Sequence, residues 1–240
     1  MTFVAPNSVR LRWQRQYRII ATQYPPIDLF ERLDIPQSKK LALWALQARI
    51  NPRLLQETGD LALVRPQDAV SGPNASIVMA AFTHIGFPSR FTDGSLGIYY
   101  ASHQLETAIR ETVFHRERDA QERRLHAQEF DMRAYVGKVQ QAFYDVRVAG
   151  YENLHAPEIN NYPLSQAFTR ELLHHDPDAW GIVFRSVRHS GGECIAALRP
   201  PAVSLPISGP HLTYVWNGRQ ITSVYEKSEA LLEFEQVPLQ

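Results

Sequence analysis

The chain has a single cysteine, Cys194, no excess of either charge, and no apolar run approaching the length of a membrane span. A lone thiol forms no internal disulfide and suits a reducing compartment. Lysine plus arginine equal aspartate plus glutamate at 25 each, so no whole-molecule field exists to hold a polyanion, and nucleic acid is disfavoured as a direct partner. Crossing a bilayer takes about 20 consecutive apolar residues, and the amino terminus also lacks the apolar stretch of a signal peptide. The expectation is a cytoplasmic protein without membrane contact. Also missing are a glycine-rich phosphate loop, a dinucleotide fingerprint, HExxH, CxxC and a nucleophile elbow, together with the chemistry those motifs carry. Nine histidines invite a metal reading, but His174 and His175 are adjacent and diverge on a helix, while His115 and His126 lie in a highly charged stretch. Solvated histidines and no metal are expected.

What is present is an ordinary globular composition, 44% apolar and 21% charged over 240 residues, enough to bury a substantial core. Residues 1–27 carry Arg10, Arg12, Arg15 and Arg18 with no acid, as a transit peptide does. Val9, Leu11, Trp13, Tyr17 and Ile19 nevertheless fall on odd positions, the period of a half-buried strand with a basic outer face. Pro25-Pro26 ends that strand, and helices are expected at Ile27–Leu33, from an N-cap at Ser38 through Leu46, and from Asn51-Pro52 to a cap at Gly59. Beyond Ser71-Gly72-Pro73, runs of branched and aromatic residues at Ser76–Phe82, Gly97–Ala101, Leu125–Val136, Trp180–Arg185 and Cys194–Leu198 read as strands. Helices are expected at His103–Arg118 and Pro163–His174, and Asn217-Gly218 between two apolar runs signals a hairpin. The sum is an α+β fold, with residues 1–72 as a strand and helical extension packed on a domain spanning residues 73–240.

Four segments set reactive or phosphate-binding side chains in structured, apolar surroundings. Arg90 lies between Phe87 and Phe91 before a turn, where its guanidinium can offer a bidentate fork to a phosphate; taken alone, a surface pair with Asp93 explains it as well. Tyr99 and Tyr100 must face opposite sides of one strand. One ring can line a cleft and stack on a flat cation while the other enters the core, although two core rings are the simpler account. Glu111 shares a helix face with Thr107 and His115, beside the apolar stripe of Leu105, Ala108, Ile109 and Val113. Its bland alternative is a Glu111–His115 surface pair. Ser186 ends an apolar strand and opens a basic loop with Arg185, Arg188 and Gly191-Gly192, which suits an anion or is a plain turn.

Taken together these segments resemble the RES domain, the toxin half of a bacterial toxin–antitoxin pair named for its arginine, glutamate and serine. The matching residues are Arg90, Tyr100, the run Ala108 through Glu111 to His115, and Ser186 in Phe-Arg-Ser ahead of the Cys194–Leu198 strand. Tyr17–Ile20, Pro25–Arg32 and Ala81–His84 look like the longer members of that family. The resemblance implies an ADP-ribosyltransferase-like mixed β-core that acts on NAD. Glu111 then stabilises a ribosyl cation, Arg90 holds the phosphates or ribose, Tyr100 (with Tyr99 as competitor) stacks on nicotinamide, and Ser186 with Arg185 and Arg188 orients the dinucleotide. It also implies a helix-turn-helix (Xre-type) antitoxin as partner. The leading helices are open to two readings, a cover over the cleft or the surface of a homo-oligomer.

Three functions are compatible with these residues. The first is an NAD-consuming toxin that cleaves the nicotinamide–ribose bond by hydrolysis or phosphorolysis and arrests growth. The second transfers ADP-ribose from the same pocket to a protein. The third is a non-catalytic protein whose basic strand and charged helix end at residues 116–124 dock a partner.

Overall fold

A computed structural model describes residues 3–22 and 59–227. The helices expected at residues 27–33 and 38–46, and the segment opening at Asn51-Pro52, lie outside the described residues. The single strand expected over Val9–Ile19 is two, β1 (Ser8–Arg10) and β2 (Gln16–Ala21), and they occupy distant places in one sheet. Alternation carries through both halves but says nothing of the break between them, because each half pairs with a different neighbour.

Ser76–Phe82 is not a strand. It lies inside a helix, α1 (Ala75–Thr83), that follows Asn74 in a left-handed conformation. A short all-apolar run fits a buried helix or a buried strand equally, and periodicity cannot separate them. Here Val78, Met79 and Phe82 are buried against the sheet or its flanks, and Ile77 is buried as well. Gly97 lets the next segment cross the end of this helix, since a Cβ there would lie 2.4 Å from the Ala81 carbonyl oxygen.

The other strands and α-helices among the described residues are β3 (Tyr99–Ser102), α2 (Leu105–Glu122), β4 (Gln128–Gly137), β5 (Ala142–Asp145), α3 (Tyr162–His175), β6 (Gly181–Arg185), β7 (Glu193–Ala197), β8 (Ile207–Trp216) and β9 (Ile221–Glu226). Among the described residues nine strands form one mixed sheet in the order β1-β5-β6-β7-β3-β2-β4-β8-β9, antiparallel throughout except for β5 beside β6. The fold is therefore α+β, and residues 8–21 supply strands to the same sheet as the residues after 73. The hairpin signal at Asn217-Gly218 joins β8 to β9, with the Asn217 side chain accepting the N–H groups of Arg219 and Gln220 at 2.9 Å each. Sequence reading passed over β5, whose four residues are too short to show a period.

Side-chain alternation sorts the core into two faces. Tyr99, Ala101, Val183, Ile195 and Ala197 pack with α1 on one side. On the other, Ile182, Phe184, Cys194 and Ala196 meet α3, and Ile19, Met132, Ala134, Leu212 and Tyr214 meet the stripe of α2. Fully burying one such large side chain stabilises the fold by about 1.5–3 kcal/mol, so this double layer fixes both helices on one face of the sheet. Among the described residues no helix is long and apolar enough to cross a membrane.

Candidate active site

The apolar stripe of α2 turns Glu111 away from the sheet and toward the end of β6. There the Ser186 hydroxyl donates to Glu111 Oε1 at 2.6 Å. The same serine oxygen accepts the backbone N–H groups of Arg188 and His189 at 3.1 and 3.0 Å. Its hydrogen-bonding capacity is thus filled by its own loop and by the glutamate. A second tie, Thr107 Oγ1 to His189 Nδ1 at 2.8 Å, fastens the loop one turn earlier on α2. Gly192 makes that approach possible, because a Cβ on it would stand 2.8 Å from two Thr107 side-chain atoms. The shared face of Thr107, Glu111 and His115 therefore meets the Ser186 loop, and the partner found for Glu111 is Ser186, not His115.

Arg90 is buried, and its guanidinium lies 4.8 Å over the ring of Tyr162 at the start of α3. Its Nη1 donates to the carbonyls of Leu154 and Ala156, each at 2.9 Å. The surface pair with Asp93 does not form; Asp93 faces Ser95 and Arg170 instead. Gln166 of α3 holds the Arg90 turn by donating to the carbonyls of Ser89 and Thr92.

Alternation separates the two tyrosines. Tyr99 is fully buried on the α1 face, where its hydroxyl meets Gln16 at 3.0 Å. Tyr100 points to the α2–α3 face, where its hydroxyl meets Ser89 Oγ at 2.8 Å and accepts the Phe91 N–H at 3.1 Å. It thereby brackets Arg90 from both sides in sequence. Burial pushes the Tyr100 phenol up to about 12, so it stays neutral at any working pH. Arg18, expected on a basic outer face, instead lies 4.6 Å from the Tyr99 ring centroid and donates to the Tyr100 carbonyl at 3.1 Å. Burial lowers its affinity for a proton, and the outer face of β2 is correspondingly less basic than the sequence suggests.

The loop arginines diverge. Arg188 stacks 3.4 Å from the Phe114 ring centroid and donates to the Pro157 carbonyl, which keeps a cation beside α2. Arg185 alternates with Ser186 and so directs its side chain to the opposite face, with Asp145 in its field. The structure thus gathers Glu111, Ser186, Arg90, Tyr100 and Arg188 between α2 and α3, and leaves the Arg185 side chain outside that group.

Two histidines belong to the same surroundings, His115 from the highly charged stretch and His155. His115 is open to solvent yet crowded by protein and by Arg118, Arg188 and Arg90, which together push its imidazole down to about 4. His155 is half-buried, and burial with the charges of Arg90 and Arg185 lowers it as well. No spacing in the sequence connects His155 to the other residues. Cys194 lies beneath the site, 3.3 Å from Ser102 Oγ, and burial and the Glu111 charge push its thiol up, so it is unreactive. Among the described residues no group of three or more His, Cys, Asp or Glu could hold a metal ion. A carboxylate held by a hydroxyl, with arginines and an aromatic face around it, is suited to an anionic substrate on which positive charge develops.

The sequence model of one family, described as the RES domain, matches residues 62–217, well over half of the chain, and that stretch contains Arg90, Tyr100, Glu111 and Ser186. A curated relative, the "Uncharacterized protein y4oC" of Sinorhizobium fredii (strain NBRC 101917 / NGR234), is 26% identical over 218 residues, which cover 89% of this chain and 88% of that protein.

Proposed function

The chain belongs to the RES domain family, and from that premise we propose that it is an NAD-consuming toxin that cleaves the bond between nicotinamide and ribose. The observation that carries this reading is the 2.6 Å contact between Ser186 and Glu111. It presents one carboxylate in a fixed orientation on the face of the sheet where Arg90 also lies, since Glu111 and Arg90 both act on the Cys194 thiol beneath them.

When the C1′–N bond breaks, its electron pair leaves with nicotinamide and the ribose becomes an oxocarbenium ion. Glu111 faces that growing positive charge, and a preoriented carboxylate lowers the barrier because the charge exists only in the transition state. Arg90 and Arg188 bind the dinucleotide's phosphates on the same side. Tyr100 orders the Arg90 turn and offers its ring toward the nicotinamide. Ser186 acts by holding Glu111, since its three bonds leave no capacity for the dinucleotide. An acceptor hydroxyl then adds to C1′ and releases its proton to solvent. NAD is a substrate in this scheme, no metal takes part, and the family reading brings with it a helix-turn-helix antitoxin as partner.

The test is nicotinamide release from NAD by the purified wild type and by Glu111→Gln, with and without inorganic phosphate, with a label on the adenosine half. Release by the wild type and its loss in Glu111→Gln are expected. Dependence on phosphate identifies phosphorolysis, release without it identifies hydrolysis, and labelled protein identifies transfer. No release from folded, antitoxin-free wild type under any of these conditions overturns the proposal.

A further inference from the structure

Strand β5 accompanies β6 only at Tyr144 beside Ile182 and Asp145 beside Val183. The chain then leaves the sheet after a last bond from the Val146 N–H to the Val183 carbonyl. Arg185, two residues farther along β6, still pairs with Glu193 of β7 on its other side, but its own N–H points to the position β5 has vacated. His155 fills it. Its Nε2 accepts the Arg185 N–H at 3.1 Å, and its Nδ1 lies 3.1 Å from the Tyr151 carbonyl. A backbone N–H can only donate and a carbonyl can only accept, so both contacts require the same neutral tautomer, with the proton on Nδ1.

The turn that carries His155 is held from outside. Arg90 Nη1 donates to the carbonyls immediately before and after it, those of Leu154 and Ala156, and Ser165 of α3 donates to the Leu154 carbonyl at 3.3 Å. A continuous path therefore runs from Arg90 through the His155 turn to the Arg185 backbone, and from there to Ser186 and its bond with Glu111. We propose that His155 is the positioning residue that sets the Ser186–Glu111 pair relative to Arg90, by taking the place of the strand neighbour that β6 lacks. Its consequence for turnover rests on the NAD-cleavage reading; its consequence for the backbone does not.

The charged groups facing His155 are Arg90 from the loop before β3, Arg185 from β6 and Glu152 from its own turn. Burial opposes protonation most and the two arginines add to it, while the Tyr151 carbonyl and Glu152 favour it. A proton on Nε2 would set one N–H against another and release Arg185.

The experiment compares wild type, His155→Ala and His155→Gln, the last placing an amide oxygen close to the position of Nε2. The first readout is NMR of the Arg185 amide. In the wild type its shift follows the His155 imidazole titration, and at neutral pH its hydrogen exchange rises about tenfold or more in His155→Ala and stays near wild type in His155→Gln. The second readout is nicotinamide release. A misplacement of this kind is expected to lower kcat by about 10- to 100-fold in His155→Ala with little change in KM. His155→Gln should restore most of kcat and remove the acid limb that His155 contributes. An Arg185 amide indifferent to His155 titration and substitution overturns the proposal, as does His155→Ala with wild-type kcat and pH profile. If the wild type releases no nicotinamide, the NAD reading falls alone, and the amide measurements still decide whether His155 holds the strand. Should His155→Ala fail to fold, the wild-type titration and His155→Gln decide it.

Discussion

The hydroxyl of Ser186 and the carboxylate of Glu111 meet at 2.6 Å although 75 residues separate them in the chain. Ser186→Ala removes the donor to Glu111 and also the acceptor of two backbone N–H groups. Loss of preorganisation is expected to lower nicotinamide release by about 10- to 100-fold, and the freed N–H groups to cost about 1–3 kcal/mol of stability. Steady-state kinetics and urea unfolding of one preparation measure the two effects separately.

Glu111→Gln keeps the size of the side chain and removes its charge. On the proposed mechanism it reduces kcat by about 100-fold or more while KM for NAD changes little, as expected for a group acting on transition-state charge. An unchanged rate would return Glu111 to a purely structural tie with Ser186.

The two adjacent tyrosines are expected to respond differently. Tyr100→Phe removes the hydroxyl between Ser89 and Phe91, which loosens the Arg90 turn and raises KM several-fold. Tyr99→Phe removes only the bond to Gln16 on the opposite face and lowers stability by about 1 kcal/mol without moving KM. Because burial holds the Tyr100 phenol at about 12, the wild-type profile should show no tyrosine limb below pH 10.

Stability should fall on the acid side. His115 is lowered to about 4, and His155 and His211 are also lowered. An imidazole that folds in its neutral form contributes stability that is complete above the unfolded value near 6.5 and is lost as pH falls from there toward its folded value. Denaturant midpoints measured at pH 7 and pH 5 should drop in the wild type and drop less in His115→Gln.

Gly192→Ala introduces a Cβ 2.8 Å from Thr107 Cγ2 and Oγ1, forcing the Ser186 loop away from α2. Overpacking of this kind costs about 1–3 kcal/mol and should lower nicotinamide release. Adding Thr107→Ala clears the clashing atoms, so the double variant should recover part of the stability that Gly192→Ala loses, as a double-mutant cycle would show.

Local sequence determined the elements whose physics is local. The stripe of α2 has a helical period, Asn217-Gly218 closes a hairpin, and the alternation of Tyr99 and Tyr100 sends them to opposite faces, whatever the rest of the chain does. The short apolar run at Ser76–Phe82 had no such period, and it folds as α1 with Ile77, Val78, Met79 and Phe82 buried and Ala80 exposed. The resemblance to the RES family picked out Arg90, Tyr100, Glu111 and Ser186 by their order along the chain. Tertiary structure alone decided what each one touches, because those contacts come from sheet order, which brings β3, β6 and β7 together beneath α2 and α3. It turned the Arg185 side chain to the far face and placed Arg18 over a buried ring. It also brought His155 to an unpaired N–H on β6, a partnership that no spacing encodes because the need for it arises only where β5 leaves the sheet.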